Sequence, residues 1–176
     1  MTALAEVLIK FESISLAELN NVSLLNRVDT KFIIASKLLP AVLTDLMSEQ
    51  FILEIDGLRK FNYRTHYYDT DDFSFYKDHH NGYINRIKVR TREYTDSGLN
   101  FYEIKNKLRG TRTDKQRKSL DVLPDFLAEG EYEMISYKRY HGEELNVQLS
   151  NDFDRITLAN KSFTERITID TDISFE

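Results

Sequence analysis

The chain of 176 residues contains no cysteine, only two prolines and only six glycines. The absence of cysteine excludes disulfide bonds and zinc sites built on thiolates. No run of about 18 apolar residues occurs, so the sequence predicts no membrane-spanning helix. The N-terminus has no basic segment leading into an apolar stretch, so we expect no signal peptide and a cytoplasmic protein. No repeat or Pro/Gly-rich linker divides the chain, and its length suits one domain over residues 1–176.

Positive charge is concentrated in one part of this sequence. The net charge is −5, which argues against non-specific binding of nucleic acid by the whole surface. Nevertheless, 11 of the 24 lysines and arginines fall within the 33 positions of Arg86–Lys118. The sequence therefore predicts a local basic site in an acidic protein.

Two neighbouring segments alternate in a way that is typical of strands. Arg86–Arg92 alternates basic with mostly apolar residues, and Phe101–Lys107 alternates again. Because successive side chains of a strand point to opposite faces, four cations should share one face of the first segment, and Glu103, Lys105 and Lys107 one face of the second. A face this rich in like charge indicates either a solvated surface with weak ion pairs or a surface that meets a polyanion.

Hydrophobic spacing predicts the remaining elements. Helices are predicted near Leu4–Phe11 and after Ser36, and a strand at Arg27–Ile34. Further strands are predicted at 61–70, 85–94, 99–107, 115–122, 136–140, 145–150, 153–156 and 164–171. A loop or short helix is predicted at 71–82, a polar connection at 109–113, and a helix interrupted at Gly130 over 124–135. This order predicts an α+β fold, a mainly antiparallel β-barrel with a polar, basic lumen and helices packed outside.

Six segments, each a weak signal alone, become specific through their number and order. They are Arg27–Lys31, Tyr63–Thr70, Arg86–Arg92, Tyr102–Lys105, Ser136–Arg139 and Arg166–Asp170. Together they resemble the VTC domain, the polyphosphate-polymerase domain of the triphosphate tunnel metalloenzyme (CYTH-like) superfamily, and most of all its bacterial stand-alone members. The resemblance extends from about Leu4 to Phe175. It implies a tunnel of antiparallel strands that binds triphosphate or polyphosphate with a divalent metal.

The resemblance also implies roles for individual residues. Catalytic contacts to phosphate are expected from Arg90, Arg92, Lys105 and Arg139. Further phosphate contacts are expected from Lys31, Arg64, Lys88, Lys107, Lys115, Arg117, Tyr137 and Arg166. Asp29 and Glu103 are the candidate ligands of Mg²⁺ or Mn²⁺. Two alternatives stay open: an ion pair between Asp29 and Lys31, and a Glu103 that neutralises and orients its basic neighbours.

Two departures from the family pattern bear on the metal. The wider superfamily opens with Glu-x-Glu-x-Lys, whereas this chain has Arg27 and Asp29 at the two acidic positions. The family also continues into strands that carry a metal-binding glutamate and more lysines, whereas this sequence ends at Glu176. We therefore expect a truncated or unusually short member, with an open tunnel and an incomplete metal site.

Three functions are consistent with these residues. The first is binding of a nucleoside triphosphate and a polyphosphate chain, followed by transfer of the γ-phosphoryl group to the chain end. The second is hydrolysis of tripolyphosphate or a nucleoside triphosphate in the same tunnel. The third is binding of polyphosphate or another polyanion without catalysis.

Two other features point away from further partners. The aromatic run Tyr63–Tyr76 is more typical of core and barrel wall than of a platform for stacking bases. The four histidines show no convincing spacing for a metal site. Nucleic acid is therefore not expected as a partner.

Overall fold

Strands dominate the computed structural model, which describes residues 3–20, 28–107, 113–124 and 126–176. The described helices are α1 Ala3–Leu8, α2 Leu16–Asn20, α3 Leu39–Leu46, α4 Ser74–His80 and α5 Glu129–Tyr132, and a 3₁₀ turn spans Ser36–Leu38. The described strands are β1 Ser13–Ile14, β2 Gln50–Leu53, β3 Phe61–Asp69, β4 Arg86–Tyr94, β5 Leu99–Lys107, β6 Thr113–Leu120, β7 Asn146–Asn160 and β8 Arg166–Phe175. None of these helices is long and apolar enough to cross a membrane.

The strands form a mainly antiparallel sheet. Its order is β1-β2-β7-β3-β4-β5-β6, and β8 pairs with β7 outside this path. β1 pairs with β2 in parallel, whereas β2 with β7, β3 with β4, β4 with β5 and β5 with β6 pair antiparallel. The predicted α+β class with a mainly antiparallel, barrel-like sheet is thus confirmed.

The hairpin predicted around the basic segment is confirmed to within a residue. β4 and β5 flank the connection Thr95–Gly98, and Gly98 has φ +65°, a backbone conformation that glycine adopts without a steric cost. The predictions at 61–70, 115–122 and 164–171 are confirmed as β3, β6 and β8, with end points shifted by a few residues.

Other predicted elements were wrong. Residues 28–34 are not a strand, and Val28, Phe32 and Ile33 are strongly exposed, because no described strand pairs with this segment to satisfy its backbone groups. The segment 136–140 is also not a strand. The helix predicted at 124–135 shrinks to α5, and the two short strands at 145–150 and 153–156 are one continuous β7. Arg27 and residues 109–112 lie outside the described residues.

Two compact units can be distinguished within the chain. The first comprises residues 1–61 and 154–171, as far as they are described. Its core consists of apolar side chains from α1, the turn that follows it, α3, β2 and β7, namely Leu8, Phe11, Leu39, Leu43, Ile52, Ile156 and Leu158. The partly buried Ile167 and Ile169 of β8 pack against this cluster. The alternating apolar positions at both ends of the sequence therefore serve one core.

The second unit comprises residues 62–153 and 172–176, as far as they are described. In its core, Ile87 and Val89 of β4 lie beside Tyr102 and Ile104 of β5, and all four are at most 1 % exposed. Burying each such side chain stabilises by roughly 1.5–3 kcal/mol, whereas a surface ion pair contributes about 0–1 kcal/mol. The apolar faces of β4 and β5 therefore decide which side of the hairpin packs into this core, and the alternating charged residues lie on the opposite face.

A buried carboxylate positions α4 over this core. The Asp69 side chain accepts hydrogen bonds from the backbone N–H groups of Thr70 (2.8 Å), Phe75 (2.9 Å) and Tyr76 (2.8 Å). These donors lie at or near the start of α4, where N–H groups lack partners within the helix. Phe75 is thereby held in the core cluster. The predicted loop or short helix at 71–82 is thus confirmed as a short helix.

Candidate functional site

Most of the predicted phosphate-binding side chains are brought together on one face of β4, β5 and β6. Residues that lie directly opposite each other on paired strands share a face. Lys88 is opposite Lys105, which is opposite Lys115, and Arg90 is opposite Glu103, which is opposite Arg117. We call this surface the basic face, and its cations are Arg86, Lys88, Arg90, Arg92, Lys105, Lys107, Lys115 and Arg117.

Three lysines form a straight row across the basic face. Lys88, Lys105 and Lys115 are all exposed and occupy one register position on three adjacent strands. Strands lie about 4.8 Å apart, so this lysine row spans roughly 10 Å. Like charges directly opposite each other destabilise a sheet. Repulsion within the lysine row therefore opposes folding, and a bound polyanion would relieve that repulsion.

Beside the lysine row, one carboxylate holds two arginines. Arg90 donates from Nε to Glu103 Oε2 over 2.8 Å, and its Nη2 lies 2.7 Å from the same oxygen. Arg117 Nε lies 3.4 Å from Glu103 Oε1. Both carboxylate oxygens thus face a guanidinium group. This arrangement matches the alternative in which Glu103 neutralises and orients its basic neighbours.

Aromatic rings support Arg117 from the same face. Its guanidinium carbon lies 3.4 Å from the ring centre of Phe101 and 5.3 Å from that of Tyr94, and its Nη2 donates to the Tyr94 hydroxyl over 2.7 Å. Stacking of this kind fixes the plane of a guanidinium and leaves its edge available to a phosphate. Sequence reasoning missed this support. The signal was present, because Tyr94 and Phe101 occupy the same alternating positions as the charged residues of their own strands.

Arg92 is the most deeply buried cation of the basic face, at 8 % exposure. Its Nε donates to Thr65 Oγ1 over 3.1 Å, and its guanidinium carbon lies 5.6 Å from the ring centre of Tyr63 and 5.8 Å from that of Phe153. Burial and the neighbouring Arg90 lower the pKa of the Arg92 guanidinium. No carboxylate among the described residues forms an ion pair with it. A phosphate that reached Arg92 would find a pre-oriented cation.

Arg64 lies on the other face of the sheet. It is opposite Glu93, whereas Thr65 and Tyr67 are opposite Arg92 and Arg90. Its guanidinium pairs with Glu93 (3.4 Å) and with Asp152 (3.7 Å). The structure therefore does not bring Arg64 together with the basic face.

Tyr137 and Arg139 form a second group around Asp78 of α4. The Tyr137 hydroxyl donates to Asp78 Oδ2, and its oxygen lies 3.0 Å from the Asn85 carbonyl oxygen. Arg139 Nη2 lies 3.2 Å from Asp78 Oδ1, and its guanidinium carbon lies 4.2 Å from the ring centre of Tyr83. Burial and the bond to Asp78 raise the pKa of the Tyr137 hydroxyl. Tyr137 packs against the core cluster, which lies on the sheet face opposite the basic face. Tyr137 and Arg139 are therefore separate from the lysine row.

A family model for the VTC domain matches residues 26–176. The chain belongs to the VTC domain family. A search of curated proteins found no match. Membership confirms the resemblance, and the VTC domain is placed in the CYTH-like superfamily. The matched range includes the whole basic face and the group around Asp78.

Three predicted residues of the VTC domain belong to the first compact unit. Asp29 and Lys31 lie in the exposed segment 28–35, which has no regular structure. Arg166 begins β8 and donates from Nη2 to the Leu19 carbonyl over 3.1 Å. Their roles in binding phosphate or metal stay predictions.

The described residues do not provide a metal centre from side chains alone. They contain no group of three or more His, Asp or Glu side chains that could hold an ion. Both oxygens of Glu103 already face arginines. Mg²⁺ commonly binds through one or two carboxylates and the phosphate oxygens of a substrate, so a metal would depend on the ligand for most of its coordination.

We expect Glu103→Gln to separate the two roles of this carboxylate. Removing the negative charge leaves Arg90 and Arg117 repelling each other, so the free energy of unfolding should fall by about 1–2 kcal/mol. Affinity for tripolyphosphate should rise a few-fold, because one like-charged group is gone. Urea unfolding and calorimetric titration measure the two effects.

The matched control is Glu93→Gln, which removes a carboxylate from the other face of the same hairpin. It should leave tripolyphosphate affinity unchanged. If Glu103→Gln instead abolished a stimulation of binding by Mn²⁺, the metal-ligand role would be favoured over the neutralising role.

Proposed function

We propose that this VTC domain binds a nucleoside triphosphate and a polyphosphate chain on its basic face, and transfers the γ-phosphoryl group to the chain end. The lysine row carries this proposal. It supports binding of a linear polyanion because three exposed cations in line match a ligand whose charges also lie in line. Membership of the VTC domain family supports polyphosphate as the class of ligand.

The proposed reaction needs no side-chain nucleophile. A terminal phosphate oxygen of the chain attacks the γ-phosphorus, the new O–P bond forms, and the bond from the γ-phosphorus to the β,γ-bridging oxygen breaks. The nucleoside diphosphate leaves with that oxygen and its electrons. Lys105 and the lysine row would hold the phosphates in line, and Arg90 and Arg92 would stabilise the charge on the transferring group.

Other parts of this mechanism rest on the resemblance. Arg139, Tyr137, Lys31 and Arg166 are proposed as further phosphate contacts, whereas Arg64, on the other face of the sheet, is not. Asp29 or Glu103 would be the protein ligand of a Mg²⁺ or Mn²⁺ ion bound together with the nucleotide, and such an ion would supply positive charge to the phosphates. A cytoplasmic location is proposed, since nucleoside triphosphates are the donor.

The first experiment is a thermal-shift titration with inorganic tripolyphosphate, with and without Mn²⁺. We expect a stabilisation of about 2.7 kcal/mol at a ligand concentration of about 100 times Kd. The shift should shrink strongly between about 0.1 M and about 1 M NaCl, because the screening length falls from about 10 Å to about 3 Å. No shift at any salt concentration would contradict binding at the basic face.

Product analysis then distinguishes the reactions that share this face. Chains that lengthen on incubation with a nucleoside triphosphate support transfer. Orthophosphate as the product supports hydrolysis with water as the acceptor. Salt-sensitive binding without turnover would leave a polyphosphate-binding module.

A further inference from the structure

An apolar pocket of about 470 Å³ adjoins the basic face in the second compact unit. Its walls include Tyr67 of β3, Leu149 of β7, and Phe73 and Tyr76 at α4. We call it the aromatic pocket. Pockets that bind small organic molecules typically enclose about 300–1,000 Å³ and combine apolar walls with a few polar groups.

Two residues belong to both features. Lys88 lines the aromatic pocket and is the β4 member of the lysine row, and Tyr67 lines the pocket and lies opposite Arg90 on the basic face. No residue of β5 or β6 lines the pocket. The lysine row therefore leads from the rim of the pocket at Lys88 away from it, through Lys105 to Lys115.

We propose that the aromatic pocket receives the base of a nucleoside triphosphate whose phosphates lie along the lysine row. This inference rests on the proposed function and names where the donor is recognised. A polyphosphate chain is charged along its whole length and has no surface that gains from an apolar wall. The nucleoside is the part of the donor that does have such a surface. Its base is a planar ring that aromatic side chains bind by stacking.

The polar groups of the pocket fit the same ligand. Gln148 and Asn151 are among its lining residues, and an amide side chain can both donate to and accept from the edge of a base. The Lys88 side chain can line the pocket with its methylene stem while its ammonium group contacts phosphate. Within the aromatic run that the sequence assigns to core and barrel wall, Tyr68 and Phe75 belong to the core cluster and also line the pocket, whereas Tyr67 and Tyr76 line the pocket from outside that cluster.

The test compares ATP with inorganic tripolyphosphate, both with Mg²⁺, by isothermal titration calorimetry. Tyr76→Ala removes one exposed ring, and Leu149→Trp fills the pocket with a bulky side chain. We expect each variant to weaken ATP binding by about tenfold and to leave tripolyphosphate binding within about twofold, because stacking of one base on one ring contributes about that much. Phe126→Ala, which removes an exposed ring outside the pocket, should change neither ligand.

Each other outcome has a defined meaning. If both pocket variants bind ATP as the unmodified chain does, or lose both ligands equally, the aromatic pocket does not recognise a base and this inference is overturned. The proposed function survives that result as long as tripolyphosphate binds. If the unmodified chain binds neither ligand, the proposed function and this inference both fail.

Discussion

Replacing Lys88, Lys105 and Lys115 together by glutamine is expected to weaken tripolyphosphate binding by about a hundredfold at low salt. Each exposed lysine that meets a phosphate contributes about 1 kcal/mol, and about 1.4 kcal/mol corresponds to a factor of ten in Kd. The three residues share one register position on adjacent strands, so one linear ligand can contact all of them. Calorimetric titration at about 0.1 M NaCl measures the loss.

The same triple variant should be at least as stable as the unmodified chain. Like charges opposite each other on paired strands destabilise a sheet, so replacing them relieves repulsion and should raise the free energy of unfolding by up to about 1 kcal/mol. A binding role and a structural role of the lysines therefore predict opposite signs for the change in the free energy of unfolding. A structural role for the lysines would lower stability, and urea unfolding decides between the two.

The matched control replaces Lys10, Lys37 and Lys138 by glutamine. These lysines are also exposed, and their loss lowers the net charge by the same amount without touching the basic face. Tripolyphosphate affinity should then fall by no more than about twofold, because none of these lysines belongs to the basic face and exposed charges that do not contact the ligand are largely screened at this ionic strength. Equal losses in the two triple variants would show that only net charge matters, and would contradict the assignment of the site to the lysine row.

The hairpin could be predicted from the sequence because its two signals agree. Alternation placed Ile87 and Val89 on one face and the cations on the other, and burial of the apolar face then left no alternative register. The register in turn aligned Lys88 with Lys105. For this part of the site, a period of two along each strand was enough information.

Other site residues depend on contacts that a local pattern does not contain. Arg64 alternates like a strand residue, but β3 is registered so that Thr65 and Tyr67, not Arg64, oppose the arginines of β4. Tyr137 was predicted beside the phosphates, yet its hydroxyl is bound to Asp78, which lies far away in sequence. The alternation at 28–34 also failed, because a strand forms only where another strand supplies hydrogen-bond partners.

Arg92→Ala is expected to lower the free energy of unfolding by about 2–4 kcal/mol. The Arg92 side chain is only 8 % exposed and fills the space beside Tyr63 and Phe153, so truncation leaves a cavity lined by two rings. Arg92→Met keeps most of the buried stem and should cost less than about 1.5 kcal/mol. Urea unfolding of the two variants separates the loss of packing from the loss of charge.

Binding gives the second readout for the same pair of variants. Both lose the cation, so both should bind tripolyphosphate about fivefold more weakly, because a charge at this depth still adds to the potential of the basic face. Arg64→Ala is the control, since Arg64 lies on the other face in exposed ion pairs and should change stability by less than about 1 kcal/mol and binding not at all. If Arg92→Met bound tripolyphosphate as tightly as the unmodified chain, Arg92 would hold the fold together beneath the site without contacting phosphate. The positive charge that stabilises the transferring phosphoryl group would then have to come from Arg90 and Lys105, whose side chains are more exposed on the same face.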